Sequence, residues 1–129
     1  MSEKFTVEII TPDKSILKSE ALEVVIPSYE GDMGILKDHI SLITFLRPGL
    51  IKITNDSEIK FFVEEGTVEF SNNNLLILTS TAKSLDSLDK ELIDRIIQNS
   101  QEQINKDKVS DKEKYLLSYK IDTLKEISS

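Results

Sequence analysis

The chain has 129 residues, 39% of them hydrophobic and 30% charged, with a formal net charge of −7, one histidine and no cysteine. That length holds one ordinary domain or a small domain with an appendage, and no apolar run approaches the roughly 20 residues of a membrane-spanning helix. The lack of cysteine excludes disulfides, thiolate metal sites and cysteine catalysis, and the acidic balance argues against nucleic acid, whose phosphates need a basic face.

Met1-Ser2-Glu3-Lys4 leads straight into Phe5, Val7 and Ile9, which alternate with polar neighbours as a strand does. No signal or transit segment is therefore expected, and a cytoplasmic compartment fits. Thr11-Pro12-Asp13 breaks the run; Leu22, Val24 and Ile26 then alternate again. An acidic, glycine-containing loop follows through Glu30, Gly31, Asp32 and Gly34 to Asp38 and His39. Residues 40–46 form a mostly apolar run, Pro48-Gly49 turns the chain, and Leu50-Ile51-Lys52-Ile53 resumes it. Residues 59–63, 67–70 and 75–79 complete the strands, with turns at Asn55-Asp56-Ser57, Glu65-Gly66 and Asn72-Asn73-Asn74. Many short strands separated by such turns predict a sandwich or barrel. Its core candidates are Val7, Ile9, Val24, Ile26, Ile51, Ile53, Phe62, Val68 and Ile77.

Near Ser84 the period changes. Leu88, Leu92 and Ile96, with Ile93, Ile97 and Ile104, fall at helical intervals, and Asp89 and Glu91 suit a positive helix N-terminus. After Asn105-Lys106-Asp107-Lys108 comes Ser110-Asp111-Lys112-Glu113, which has the form of a capping box, and Leu117, Ile121 and Leu124 then line one helix face. The fold class is therefore α+β, with a β-sandwich over residues 1–84 and an antiparallel two-helix hairpin over 85–129. The hairpin is thin and needs the sandwich or a partner for stability. Its apolar stripes serve either an internal core or a partner groove. Charge divides along the same line: 8 Lys and Arg stand against 14 Asp and Glu up to Ser87, and 8 against 9 from Leu88 onward.

Chemistry-bearing motifs are mostly missing. No phosphate loop, dinucleotide fingerprint or serine nucleophile motif is present, and one histidine excludes the common multi-histidine zinc sites. Glu30, Asp32, Asp38 and His39 form the one cluster with catalytic potential. A carboxylate beside an imidazole can make a general base, and a loop of oxygens can hold a hard cation for metal-assisted hydrolysis. The same acids equally serve to solvate a hairpin tip. Tyr29 and Met33 alternate with them; one is expected to point into the sandwich edge and the other to stand exposed.

The run Pro27-Ser28-Tyr29-Glu30-Gly31-Asp32-Met33-Gly34-Ile35-Leu36-Lys37-Asp38-His39, followed by Leu46-Arg47-Pro48-Gly49-Leu50-Ile51-Lys52-Ile53, resembles the pattern of the epsilon subunits of F-type ATP synthases. The pattern is P-x-x-E-G-[DE]-x-G-I-x-x-x-H, then L-x-P-G-x-[IV]-x-[IV]. The resemblance covers the whole chain, strongest over residues 24–53. It implies a non-catalytic subunit of the central stalk, with a β-sandwich and a C-terminal helix–turn–helix. Its implied partners are the gamma subunit, the c-ring of proton-carrying membrane subunits and, through the hairpin, the alpha and beta subunits. Membrane association would be indirect, peripheral, on the cytoplasmic face of a bacterial inner membrane. It further implies that Glu30, Gly31, Asp32 and His39 lie at the contact with the ring and gamma. No cofactor is implied. The hairpin is the implied regulatory element, folded on the sandwich or extended along gamma to block hydrolysis. A stand-alone β-sandwich adaptor, with the hairpin as a partner-binding arm, is the alternative.

Some of these subunits sense ATP through [IL]-D-x-x-R-A at the start of the first helix. Here the run is Leu88-Asp89-Lys90-Glu91-Leu92-Ile93, so Leu92 stands in place of the arginine and Ile93 of the alanine. The second helix offers Lys112, Lys114, Lys120 and Lys125 but no arginine, and Arg95 is the one stand-in. The motif is degenerate, and weak or undetectable ATP binding is expected.

Overall fold

The structure, a computed structural model, describes residues 3–128. Met1, Ser2 and Ser129, the outermost positions of the two expected domains, lie outside the described residues. The strands are β1 Phe5–Ile10, β2 Ser15–Ala21, β3 Glu23–Ser28, β4 Gly31–Leu36, β5 Leu42–Leu46, β6 Gly49–Thr54, β7 Glu58–Val63, β8 Gly66–Ser71, β9 Asn74–Leu78 and β10 Ala82–Ser84. They form two layers of a sandwich: β4-β3-β6-β7-β10 and β5-β8-β9-β1-β2. The layers meet at one corner, where Ser28 ending β3 pairs with Leu46 ending β5. Among the described residues every pairing is antiparallel except β1 with β9.

Alternation sets the core. Val7, Ile9, Val24, Ile26, Ile51, Ile53, Val68 and Ile77 turn inward and are at most 2% exposed. Phe5 and Phe70 meet edge to face across it, with ring centroids 5.6 Å apart. Phe62 is also buried, but on the other face of β7; its neighbour Phe61 packs on the sandwich core instead. The expected core assignment of Phe62 is thus corrected by the strand's own two-residue period.

Three strands went unread in the sequence. Strand β2 is a polar edge strand whose serines, lysine and glutamate hide its period. Strand β10 has only three residues. Strand β4 occupies most of the expected acidic loop: Met33 and Ile35 turn inward between Asp32, Gly34 and Leu36, and all six residues pair with β3. Only Tyr29 and Glu30 remain as its turn. The turn requires glycine next, since Gly31 has φ 123°. The Asn72-Asn73 turn between β8 and β9 also behaves as its residues suggest, with φ of 50° and 59°.

A single 3-10 turn, Leu85–Ser87, leads to α1 Lys90–Ile104 and α2 Asp111–Ser128. Asp89 caps α1 by accepting a hydrogen bond from the Leu92 N–H at 2.7 Å. Ser110 caps α2 by accepting from the Glu113 N–H at 3.1 Å, while the Glu113 carboxylate accepts from the Ser110 hydroxyl at 3.3 Å. The helices lie against each other and fold down on the outer face of β6 and β7. Ile93 and Leu124 bury against Phe62, with Leu50, Leu85, Leu88, Ile96, Ile97 and Ile127 around them. The apolar stripes therefore make an internal second core.

Candidate functional site

Three places hold the residues singled out by sequence. The first is the β3–β4 turn. Ser28 is buried, and its hydroxyl donates to the Gly31 carbonyl at 2.7 Å while accepting from the Glu30 N–H at 3.3 Å. This small network fixes the turn and leaves Glu30 and Asp32 exposed at the tip. Tyr29 stands out from it and Met33 packs inward, which sorts the pair as expected.

The second place is the far end of β4. Asp38 takes φ 67°; its N–H donates to the Asn73 side-chain oxygen at 2.7 Å, and Asn73 Nδ2 donates back to its carboxylate at 3.0 Å. This clasp ties the β4–β5 connection to the β8–β9 turn. His39 sits beside it with Nδ1 2.7 Å from the Ile40 carbonyl oxygen, so that nitrogen carries the proton. Its ring meets Phe70 edge to face at 6.0 Å. Strand β4 rises roughly 17 Å over its length, so the structure separates Glu30 and Asp32 from Asp38 and His39. Among the described residues no group of three or more histidine and acidic side chains converges as a metal site. The metal-assisted reading of this cluster thus loses its geometry, because Glu30 and Asp32 sit at the opposite end of the strand from His39. Asp38 and His39 share one end, but the Asp38 carboxylate is taken by Asn73 and His39 Nδ1 by the Ile40 carbonyl, so they do not form the carboxylate–imidazole pair that a general base needs.

The third place is the start of α1. Leu88 belongs to the second core, and Asp89 is committed to the helix cap. Leu92 is half-buried, and Arg95, with its side chain 65% exposed, pairs with Glu91 at 3.8 Å.

Sequence reasoning missed two surfaces. On the outer face of the second layer, Ile43, Phe45 and Leu78 are 72%, 59% and 44% exposed. Phe45, Thr67 and Leu78 are successive partners across β5, β8 and β9, so the apolar groups form one patch. The residue parity of β5 could have shown it, because Leu42 and Leu46 already fill the inward positions. The other surface joins Tyr29 and Arg47 to Tyr115 and Tyr119 of α2, a contact between positions distant in sequence.

The family model for the β-sandwich domain of the ATP synthase delta/epsilon chain matches residues 4–84. The chain is 48% identical over 130 aligned positions to the ATP synthase epsilon chain of Pelagibacter ubique, covering 99% of this chain and 100% of that one. The chain belongs to the ATP synthase epsilon family. The epsilon chain of Parvibaculum lavamentivorans is 33% identical, with 98% of this chain and 97% of that one aligned. The fold extends further. A chain in the cryo-EM structure of the Euglena gracilis mitochondrial ATP synthase, with OSCP, F1 and c-ring, superposes with a TM-score of 0.83 at 18% identity, covering 98% of this chain and 82% of that one. A chain of the Tetrahymena thermophila mitochondrial ATP synthase central stalk and c-ring does so with a TM-score of 0.70 at 17% identity, covering 99% and 98%. As an epsilon-family member the chain is a non-catalytic subunit of the ATP synthase complex. No helix among its described residues is long and apolar enough to cross a membrane.

Proposed function

We propose that this chain is the epsilon-type rotor subunit of a bacterial F-type ATP synthase, joining gamma to the c-ring so that all three turn as one body. The observation that carries this reading is the 48% identity to a bacterial epsilon chain over its whole length. Two features of the sandwich support the division of labour. The apolar patch of Ile43, Phe45 and Leu78 suits a permanent protein contact, here assigned to gamma. Strand β4 is an edge strand, paired among the described residues with β3 alone. Lying along the ring, it would touch it at both ends, with Glu30, Gly31 and Asp32 at one and His39 at the other. That arrangement reconciles the four implied contact residues with their separation.

The hairpin is the regulatory element in this reading. Folded down it covers β6 and β7, and extended along gamma it would reach the alpha and beta subunits and block hydrolysis. The two arrangements bury one apolar stripe against different surfaces, a balance of a few kcal/mol. The whole assembly would sit on the cytoplasmic face of the inner membrane, held there by the ring. Affinity purification of the tagged chain from its own cells is expected to recover gamma, alpha, beta and ring subunits. Recovery of other proteins and none of these would favour the stand-alone adaptor.

A further inference from the structure

Beyond its apolar seam, the hairpin is held at one end by a cluster of four side chains. Tyr115 and Tyr119 stand one turn apart on α2, with ring centroids 4.8 Å apart. The Arg47 guanidinium lies over the Tyr119 ring, 3.9 Å from its centroid, and its Nη1 donates to the Tyr115 hydroxyl at 3.3 Å. That hydroxyl donates in turn to the Tyr29 carbonyl oxygen at 3.4 Å, and the Tyr29 and Tyr115 rings meet edge to face at 6.3 Å.

The sandwich half of this cluster is fixed in place. The Arg47 N–H donates to the Pro27 carbonyl at 2.9 Å, and Gly49 lies so close to Pro27 that an added Cβ would come within 2.6 Å of its Cβ. Tyr29 is set by the Ser28 hydrogen bonds of the β3–β4 turn. A cleft of about 260 Å³, lined in part by Asp32, Arg47, Lys52, Tyr119 and Asp122, keeps the contact open to solvent on one side. Such a contact releases more readily than the dry seam around Phe62.

We propose that Tyr29, Arg47, Tyr115 and Tyr119 form a latch that holds the helical hairpin down and makes its docking depend on the conformation of the β3–β4 turn. The inference rests on the reading of the hairpin as a movable element and names what restrains it. Because Tyr29 adjoins Glu30, whatever engages the turn acts on the same residue that holds α2. Turn and hairpin are then coupled, and the coupling runs equally in both directions.

Hydrogen–deuterium exchange on the full-length chain tests this. A lost cation–π contact and a lost aromatic pair together are expected to raise α2 exchange about tenfold in Tyr119→Ala. Arg47→Ala should act in the same direction and non-additively with it, because both remove one contact. Tyr29→Ala, altered only in the turn, should raise α2 exchange about threefold, while sandwich amides in β1 and β9 keep their protection. Lys120→Ala, which removes the ion pair to Glu64 outside the cluster, is the reference for hairpin opening. If Lys120→Ala frees α2 and the latch variants leave it within twofold of the parent, the latch is wrong and the movable hairpin stands. If α2 stays as protected as β1 in every variant, the movable hairpin itself fails.

Discussion

Phe61 and Phe62 are adjacent in β7 and belong to different cores. Phe61 packs inward with the sandwich, and Phe62 packs outward on Ile93 and Leu124. One strand thus serves two layers of packing, an extensive core within the sandwich and a thin seam under the helices.

That asymmetry predicts unequal costs. Phe70→Ala, in the middle of the sandwich beside Phe5 and His39, is expected to lower global stability by about 3–5 kcal/mol. Phe62→Ala removes as much side chain but loses only what hairpin docking supplies. Its effect should appear as lost protection in α1 and α2 with little change in the sandwich. A chain ending at Ser84, which keeps β10 paired with β7, is expected to retain a β-type far-ultraviolet spectrum. A random-coil spectrum would show that the first core needs the second.

The two-part fold was legible because both periods are clean where one face is buried: Val7 and Ile9 alternate, and Ile93, Ile96 and Ile97 recur at helical spacing. Strand β4 was not legible, since two of its six residues are glycine and its exposed face carries Asp32. Its identity as a strand comes from pairing with β3, a tertiary fact that local propensity does not contain. The distance between Glu30 and His39 was not legible for the same reason: proximity along the chain became separation once the intervening residues extended as β4. No pattern in the sequence marks Tyr115 and Tyr119, and only the fold brings Arg47 to them.

Gly49 offers a test of the corner where the layers meet. A methyl group there would meet Pro27 Cβ at 2.6 Å, inside any tolerable contact. Gly49→Ala should force β6 away from β3 and destabilise the chain by about 1–3 kcal/mol. Thermal unfolding measures it, and a midpoint equal to that of the parent would mean that the Arg47-Pro48 turn yields without cost.

For the proposed ring contact the fair variant is Asp32→Lys combined with His39→Ala. Single exposed ion pairs are worth only about 0–1 kcal/mol, so one change alone can be silent. In membranes carrying the double variant, ATP hydrolysis is expected to drive less proton pumping per ATP. Hydrolysis by the detached soluble head should change far less. Because His39 also packs on Phe70, the thermal midpoint of the purified double variant must be shown close to that of the parent. Full coupling in a variant that folds would remove these residues from the contact.

ATP sensing is the last point on which this chain should differ from some of its relatives. Sensing through the start of α1 needs a carboxylate available to the nucleotide and an arginine able to grip phosphate with two parallel hydrogen bonds. Here the Asp89 carboxylate already accepts from the Leu92 N–H at 2.7 Å, and removing it from the cap would cost about 1 kcal/mol. The arginine position holds Leu92, whose half-buried side chain has nothing to offer a phosphate. Arg95 is directed to Glu91 at the surface, and the lysines of α2 are point charges without the planar fork. With the Tyr29–Arg47–Tyr115–Tyr119 cluster proposed to hold the hairpin, its position need not depend on nucleotide. Calorimetric titration of the purified chain with Mg-ATP is therefore expected to give no micromolar isotherm, and hairpin exchange should be the same with and without nucleotide. A micromolar isotherm that Arg95→Ala abolishes would reverse the conclusion and make Arg95 the displaced sensor.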